Sequence, residues 1–393
     1  MNKQSEKHIF WAATFLGLLG FISLNIYLPA LPTLIHQFHT NPPALKLSIT
    51  LFLLGFALSQ FFWGSFSSKH GRKKAIFYGL IVAEFGTFCA LCSLNIEMFN
   101  LARLIEGIGI GSASVLSRAL FTDALDQTKL AKALSLVSSA GNIMPAIAPL
   151  IGGYLILFFN WRMIFLLLFI YTTALIIIFH KFVNETNANI HNQFTFKQAL
   201  SEYYLVFTNR NFIGYALPFF ILSGGMIGYY AATPFIYITN LHISAHNYSY
   251  LLIFTVTWYA FGANLSGYFI KKLGLNKTIF LGILISLISA LLFFSLAYFA
   301  HFSILTTILP MMIYMFGAGL VAPSANAKAM NELRHIAGAS AAVVGALVYG
   351  MSTICTAFIT TLDLTQLVSL GIYTIIISVT ALFGFWGLIL SRK

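Results

Sequence analysis

Twelve stretches of roughly twenty apolar residues, each long enough to cross a bilayer as a helix, follow one another along this chain at short intervals. They cover about 9–31, 46–66, 75–95, 98–120, 132–157, 162–182, 211–238, 248–270, 278–300, 303–328, 336–361 and 366–390. A backbone in hydrocarbon must satisfy its own polar groups, so the pattern points to an all-α integral membrane protein. Composition agrees, with 59% of residues hydrophobic and 8% charged, against roughly 45–50% and about 25% in soluble domains. The first stretch follows Lys3 and Lys7 like a signal peptide, but it is too long and carries Pro29, with Pro32 just beyond, so it reads as a retained span. Cys89, Cys92 and Cys355 lie inside apolar segments and read as small core residues without a disulfide framework.

The chain repeats itself. GIGIGSASVLSRAL (Gly107 to Leu120) and GAGLVAPSANAKAM (Gly317 to Met330) lie 210 residues apart, placing Gly107, Gly109, Arg118 and Ala119 on Gly317, Gly319, Lys328 and Ala329. GSFSSKHGRKK (Gly64 to Lys74) recurs in layout 203 residues later as GYFIKKLGLNK (Gly267 to Lys277). We therefore expect two pseudo-symmetric six-helix bundles, 1–182 and 211–393, joined by a cytoplasmic connection at 183–210. They should be related by a two-fold axis along the membrane normal that pairs Gly64 with Gly267 and Gly107 with Gly317. Such repeats underlie alternating-access transport. The connection holds Asn184, Asn187, Asn189 and Asn192, and beyond it Phe196, Leu200, Tyr203 and Phe207 share one helical face behind Thr195 as a cap. This segment reads either as an amphipathic helix on the inner membrane surface or as an extension of the seventh span.

Orientation follows from the 22 Lys and Arg residues. With the N-terminus in the cytoplasm, all but Lys46, Arg103 and Arg162 fall toward the cytoplasmic side, which puts both termini there and makes the number of spans even. The net charge of +12 is then a matter of topology and contact with anionic lipid, and needs no nucleic-acid partner.

Ionisable residues inside spans are costly, at least ~2.5–3.5 kcal/mol at the bilayer centre, and point to function. Arg103 lies about a turn and a half into the fourth span, Glu106 one turn further on, and Glu84 mid-way through the third. Arg103 and Glu106 read either as a cavity-lining pair that responds to protons or as a static ion pair between helices. Glu84 is open in the same way, since Gly79, Ala83, Gly86 and Ala90 form a packing stripe on its helix. The ten histidines sit mostly in loops or at segment ends, without zinc spacing, and no phosphate-binding loop is present. An enzyme, a metal site or a cofactor is therefore not expected.

The twelve-span layout and the GSFSSKHGRKK run resemble the major facilitator superfamily, whose second cytoplasmic loop carries a glycine, an aspartate, a basic residue, a second glycine and further basic residues. LNIYLPALP (Leu24 to Pro32), Arg103 with Gly107 and Gly109, PAIAPLIGG (Pro145 to Gly153), ATPFIY (Ala232 to Tyr237) and HIAGASAAVVG (His335 to Gly345) narrow the likeness to the Bcr/CflA branch of bicyclomycin and chloramphenicol exporters. The resemblance implies a proton-coupled antiporter of the bacterial inner membrane that exports amphipathic small molecules, and twelve spans in one chain, enough for a complete transport unit, lead us to expect a monomer. It implies a conformational latch at Gly64, Gly71, Arg72 and Lys73, with Arg72 paired to Asp123. Here Ser68 replaces the family's aspartate, one charge fewer. Gly141, Pro145, Pro149, Gly152 and Gly153 match the antiporter motif of the fifth span. Asn25 stands where the family has an aspartate and Glu106 where it commonly has glutamine, so Glu106 is the candidate to carry proton coupling. The expected substrate cavity comprises Asn25, Tyr27, Asn142, Tyr229, Tyr230, Tyr237, Trp258, Asn264 and Asn326, aromatic walls with scattered amides that suit amphipathic molecules. Ser223, Gly224 and Gly225 form either a hinge or a close contact in the seventh span. The competing substrate class is an endogenous anionic metabolite such as a carboxylate siderophore, favoured by the missing acid at Asn25 and by Arg118 and Lys328.

Overall fold

The computed structural model describes residues 3–187, 196–299, 303–333, 336–363 and 367–389, and among these the regular elements are all helices. The first apolar stretch forms α1 (Lys3–Asn25), a short turn of tighter helix (Leu28–Ala30) and α2 (Leu31–Phe38). The interruption falls where Pro29 and Pro32 withhold backbone donors. Next come α3 (Pro42–His70), α4 (Arg72–Leu91), α5 (Ile96–Ala124), α6 (Gln127–Phe158) and α7 (Arg162–Phe182). After the connection follow α8 (Phe196–Thr208), α9 (Arg210–Pro234), a wider π-helical turn (Phe235–Asn240), α10 (Ala245–Leu273), α11 (Leu275–Phe299), α12 (Ile304–Glu332), α13 (Ala337–Thr360) and α14 (Leu367–Leu388).

Helix starts are written in the sequence. The side chains of Asn41, Asn95, Asp126, Asn209 and Ser303 each accept a bond from an amide in the first turn of α3, α5, α6, α9 and α12. Asn209 settles the ambiguity at the connection. By accepting from Phe212 N at 2.8 Å it opens α9 afresh, so α8 is a helix of its own and not an extension of the seventh span. Thr195, Asn189, Asn192, Arg334, His335, Arg392 and Lys393 lie outside the described residues. Eleven helical segments among the described residues are long and apolar enough to cross a membrane. The twelfth expected span, α10, has the length at 29 residues but carries more polar groups. It holds the place in its half that α3 holds in the other.

The chain divides into two compact units, Met1–Leu200 and Ser201–Lys393, at a point inside the expected connection. In the first, α5 packs against α1, α3 and α4, while α6 lies on α1 and α7 on α4. In the second, α12 packs against α9, α10 and α11, α13 lies on α9 and α14 on α11. The internal layouts correspond element for element. Backbone detail repeats as well: Gly71 and Gly274 take φ of 93° and 83°, a left-handed region that glycine enters freely, and His39 and His242 take 48° and 53°. Each of these pairs is separated by 203 residues, the spacing seen between Gly64 and Gly267.

The repeat at Gly107 needs a different register. α11 has 25 residues and α4 has 20, so every equivalence beyond them shifts by five, to 208. Gly109 then matches Gly317, Gly111 matches Gly319, and Gly107 matches Met315. Packing bears this out, because side-chain atoms added at Gly111 and Gly319 would meet the carbonyls of Phe56 and Tyr259, themselves 203 apart. Those added at Gly109 and Gly317 would meet the amides of Ala83 and Ser286, again 203 apart. The pairing of Gly107 with Gly317, and of Arg118 with Lys328, is therefore out of step by two residues. Alternate glycines at 107, 109 and 111 allowed either frame in the sequence, and only the neighbouring helices decide between them.

A valine at Gly317 should lower stability by about 1–3 kcal/mol, the usual range for overpacking, because the added carbon would lie 2.6 Å from Gly282 O and 2.9 Å from Ser286 N. Gly267 has nothing within 4 Å of the corresponding position, so Gly267→Ala should stay within about 0.5 kcal/mol of wild type. Thermal unfolding in detergent checks both, and equal midpoints would contradict the packing described.

Candidate functional site

The sharpest electrostatic feature of the first unit lies on α5, where it crosses α1 and α3. Arg103 and Glu106 both have no solvent exposure, and Arg103 Nη1 donates to Glu106 Oε2 at 2.5 Å. The pair forms because three residues along a helix bring side chains to one face. It is buried because small residues let the neighbours close in: Gly86 of α4 packs on the backbone of Glu106, and Gly107 on that of Phe52 in α3. Arg103 Nη2 donates to Ser23 O of α1 at 3.1 Å. Its guanidinium carbon lies 4.3 Å from the ring centres of both Tyr27 and Phe52, and 5.9 Å from that of Phe165. The cation is thus held by a carboxylate, a carbonyl and aromatic faces, the set of partners that makes a desolvated arginine tolerable. Arg103 Nε, Glu106 Oε1 and Ser23 Oγ, all buried, have no hydrogen-bond partner among the described residues. The pair thus keeps donor and acceptor capacity that its neighbours leave unused.

Asn25 sits on the same helix as Ser23, 3% exposed, and donates through Nδ2 to Phe21 O at 2.8 Å. Its amide is satisfied within its own helix. Tyr27 is fully buried, its hydroxyl 3.1 Å from Ser48 Oγ. Glu84 does not join this group. Gly86 faces α5, and two residues turn a helix by about 200°, so Glu84 points to α7, where its carboxylate accepts from the Thr173 hydroxyl.

A second cluster closes one end of the same unit. Arg72 Nε donates to Asp123 Oδ2 at 3.0 Å, and Arg72 Nη1 to Ser67 Oγ at 2.8 Å, tying the start of α4 to the ends of α5 and α3. Gly71 turns the chain between α3 and α4 with positive φ. Lys73 Nζ donates to His180 O of α7 at 2.9 Å. Glu185, which sequence reasoning did not single out, accepts from the amides of Arg72 and Lys73 at 2.8 and 3.0 Å. The available signal was an acid in a loop rich in asparagine, just beyond α7.

Along α6 the helix runs unbroken through Pro145 and Pro149, and Gly141 and Gly152 let it lie against Phe21 of α1 and Ile26 just beyond it. The residues grouped by sequence into one aromatic wall part company. Tyr229, Tyr230 and Tyr237 are buried in the second unit, with the Tyr229 and Tyr237 hydroxyls 3.2 Å apart and Thr233 Oγ1 2.8 Å from the Tyr248 hydroxyl. All three are core groups, and the Tyr229 and Tyr237 hydroxyls pair with each other. Asn142, Trp258 and Asn264 are exposed on their own units, and Asn326 is half-buried. Ser223, Gly224 and Gly225 lie where α9 is closely packed. α9 passes through them without a break, Gly224 meets Met351 and Cys355, and Tyr373 donates to Gly225 O at 3.1 Å.

The register of 208 places Tyr314 where the first unit has Glu106. Tyr314 is buried and donates to Leu222 O of α9 at 3.3 Å, so the second unit anchors its central helix with a neutral phenol where the first uses a charge. Lys328 pairs with Glu332 at 3.1 Å near the end of α12. Among the described residues, the fully buried ion pair belongs to the first unit.

Residues 13–356 match the Major Facilitator Superfamily. Multidrug resistance protein D of Escherichia coli is 26% identical over 88% of this chain and 87% of that protein. A bicyclomycin resistance protein homolog of Haemophilus influenzae is 23% identical over 90% of this chain and 89% of its own. The solved structure of the xylose transporter XylE from E. coli, in a partially occluded inward-open conformation, superposes with a TM-score of 0.74 at 17% identity and 98% coverage of both chains, a likeness of fold. The matched family and these neighbours are transporters and not enzymes. With the family matched along nearly its whole length, this chain belongs to the Major Facilitator Superfamily of membrane transporters and resembles its Bcr/CflA branch.

Proposed function

We propose that this protein is a proton-coupled antiporter that exports amphipathic small molecules across a bacterial inner membrane, working as a monomer with both termini in the cytoplasm. The observation that carries the reading is the buried Arg103–Glu106 pair with its unspent oxygen and nitrogen beside Ser23. A proton arriving on Glu106 dissolves the ion pair and leaves Arg103 to its aromatic and carbonyl partners, which changes how tightly α5 is tied to α1. Asn25 cannot titrate, so the acid on α5 takes the protonation step. The names of two relatives, a multidrug resistance protein and a bicyclomycin resistance protein homolog, support drug-like cargo. The Arg72–Asp123 pair acts as a latch at the cytoplasmic end, closed in one conformation and released in the other.

A second reading, transport of an anionic metabolite such as a carboxylate siderophore, is favoured by Asn25, whose neutral side chain brings no negative charge to attract a cation. Growth of a deletion strain under iron chelation, compared with growth on a panel of toxic organic cations, separates the two.

In proteoliposomes with an imposed pH gradient and a panel of such cations, Glu106→Gln should abolish the response to pH while leaving binding measurable. The single variant also leaves Arg103 unpaired and should lose about 3–5 kcal/mol of stability, whereas Arg103→Met with Glu106→Gln should recover much of that. A double variant that regains both stability and pH-driven transport would reduce the pair to a structural tie. For the latch, exchanging the charges at Arg72 and Asp123 together should restore more transport than either single reversal retains. A double reversal no better than the singles would remove that role.

A further inference from the structure

The latch has a third component. We infer that Val183–Asn187, the segment leaving α7, is a strap whose Glu185 positions Arg72 for Asp123. The start of α4 creates the need. Its N-cap is Gly71, which has no side chain with which to receive the free amides of the first turn. Glu185 supplies the missing acceptor from 113 residues away, with Oε1 on Arg72 N at 2.8 Å and Oε2 on Lys73 N at 3.0 Å. A carboxylate at a helix N-terminus is also favoured by the helix dipole. Gly71 is required twice over, since its φ is 93° and a carbon added there would run into the Glu185 carboxylate.

The next two residues fasten the strap to the other parts of the latch. Thr186 Oγ1 donates to Asp123 Oδ2 at 3.2 Å, the same oxygen that receives Arg72 Nε at 3.0 Å. Asn187 Nδ2 reaches Ser67 O and Ser68 O at 3.5 and 3.4 Å, at the end of α3. Three consecutive side chains thus touch the ends of α3, α4 and α5. Ser68 brings no charge to this end of the unit, and Glu185 brings one. Because Glu185 fixes the backbone of Arg72 and Thr186 fixes the carboxylate of Asp123, the strap holds both halves of the ion pair in register. Glu185 is therefore a positioning residue, acting through Arg72, and ties the connection between the units to the latch.

The inference rests on the latch reading above, and its test needs neither substrate nor a pH gradient. Hydrogen–deuterium exchange of the purified full-length protein in detergent is followed for wild type, Glu185→Gln and Glu185→Ala, with the melting temperature recorded alongside. Exchange in 71–75 should rise several-fold for Glu185→Ala and by less for Glu185→Gln, which keeps one acceptor. It should also rise in 120–126, around Asp123, which Glu185 does not touch. A double-mutant cycle of Arg72→Gln and Asp123→Asn, read by melting temperature, should show weaker coupling in the Glu185→Ala background. Unchanged exchange in 71–75, a uniform rise across all spans, or coupling between Arg72 and Asp123 that is indifferent to Glu185 would overturn the inference.

Discussion

Helices in hydrocarbon gain little from burying apolar surface against each other, because lipid is as apolar as leucine, so their association depends on close approach and on polar ties. α5 meets that constraint with Gly107, Gly109 and Gly111, which put its backbone against Phe52 and Phe56 of α3 on one side and Ala83 of α4 on the other. α12 does the same with Gly317 and Gly319. The central helix of each unit is therefore defined by what it lacks, and its neighbours are placed by contact with bare backbone.

That arrangement explains why a charged pair is tolerable on α5. With α3 and α4 drawn in, Arg103 is received by Ser23 O of α1, by the Tyr27 ring just beyond it and by the Phe52 ring of α3. Desolvation of the two ions is offset by their mutual bond, by the carbonyl and by two aromatic faces. The same position in the second unit is a tyrosine bonded to a carbonyl of α9. One unit carries a charged pair at this position and the other a neutral bond, an asymmetry laid over a common frame. The buried tyrosines of the second unit, bonded to one another and to backbone, reinforce that division.

The polar work outside the spans is done by short segments at helix ends. Gly71 with Arg72, Asp123 and Glu185 come from three points in the chain, and they meet because α4 starts where α3 and α5 end. A glycine that serves the turn leaves a helix uncapped, and an acid from a distant loop completes it. Structural economy of this kind ties a loop residue to a helix start far away in the chain, with only an acid among asparagines to mark it.

Span positions and the duplicated plan were legible in the sequence, because a bilayer demands apolar runs of fixed length and a duplicated chain repeats its turns and small residues. Arg103 and Glu106 stood out for the same reason, as charges where charge is costly. Tertiary structure decided the rest. The five extra residues of α11 moved the true partner of Gly317 from Gly107 to Gly109, a shift that a run of alternating glycines conceals. Glu84, grouped with Glu106 by depth, turned away toward Thr173, and the aromatic wall separated into buried tyrosines and an exposed Trp258. Depth along a helix can be counted from sequence, whereas the direction a side chain faces depends on which helix lies beside it.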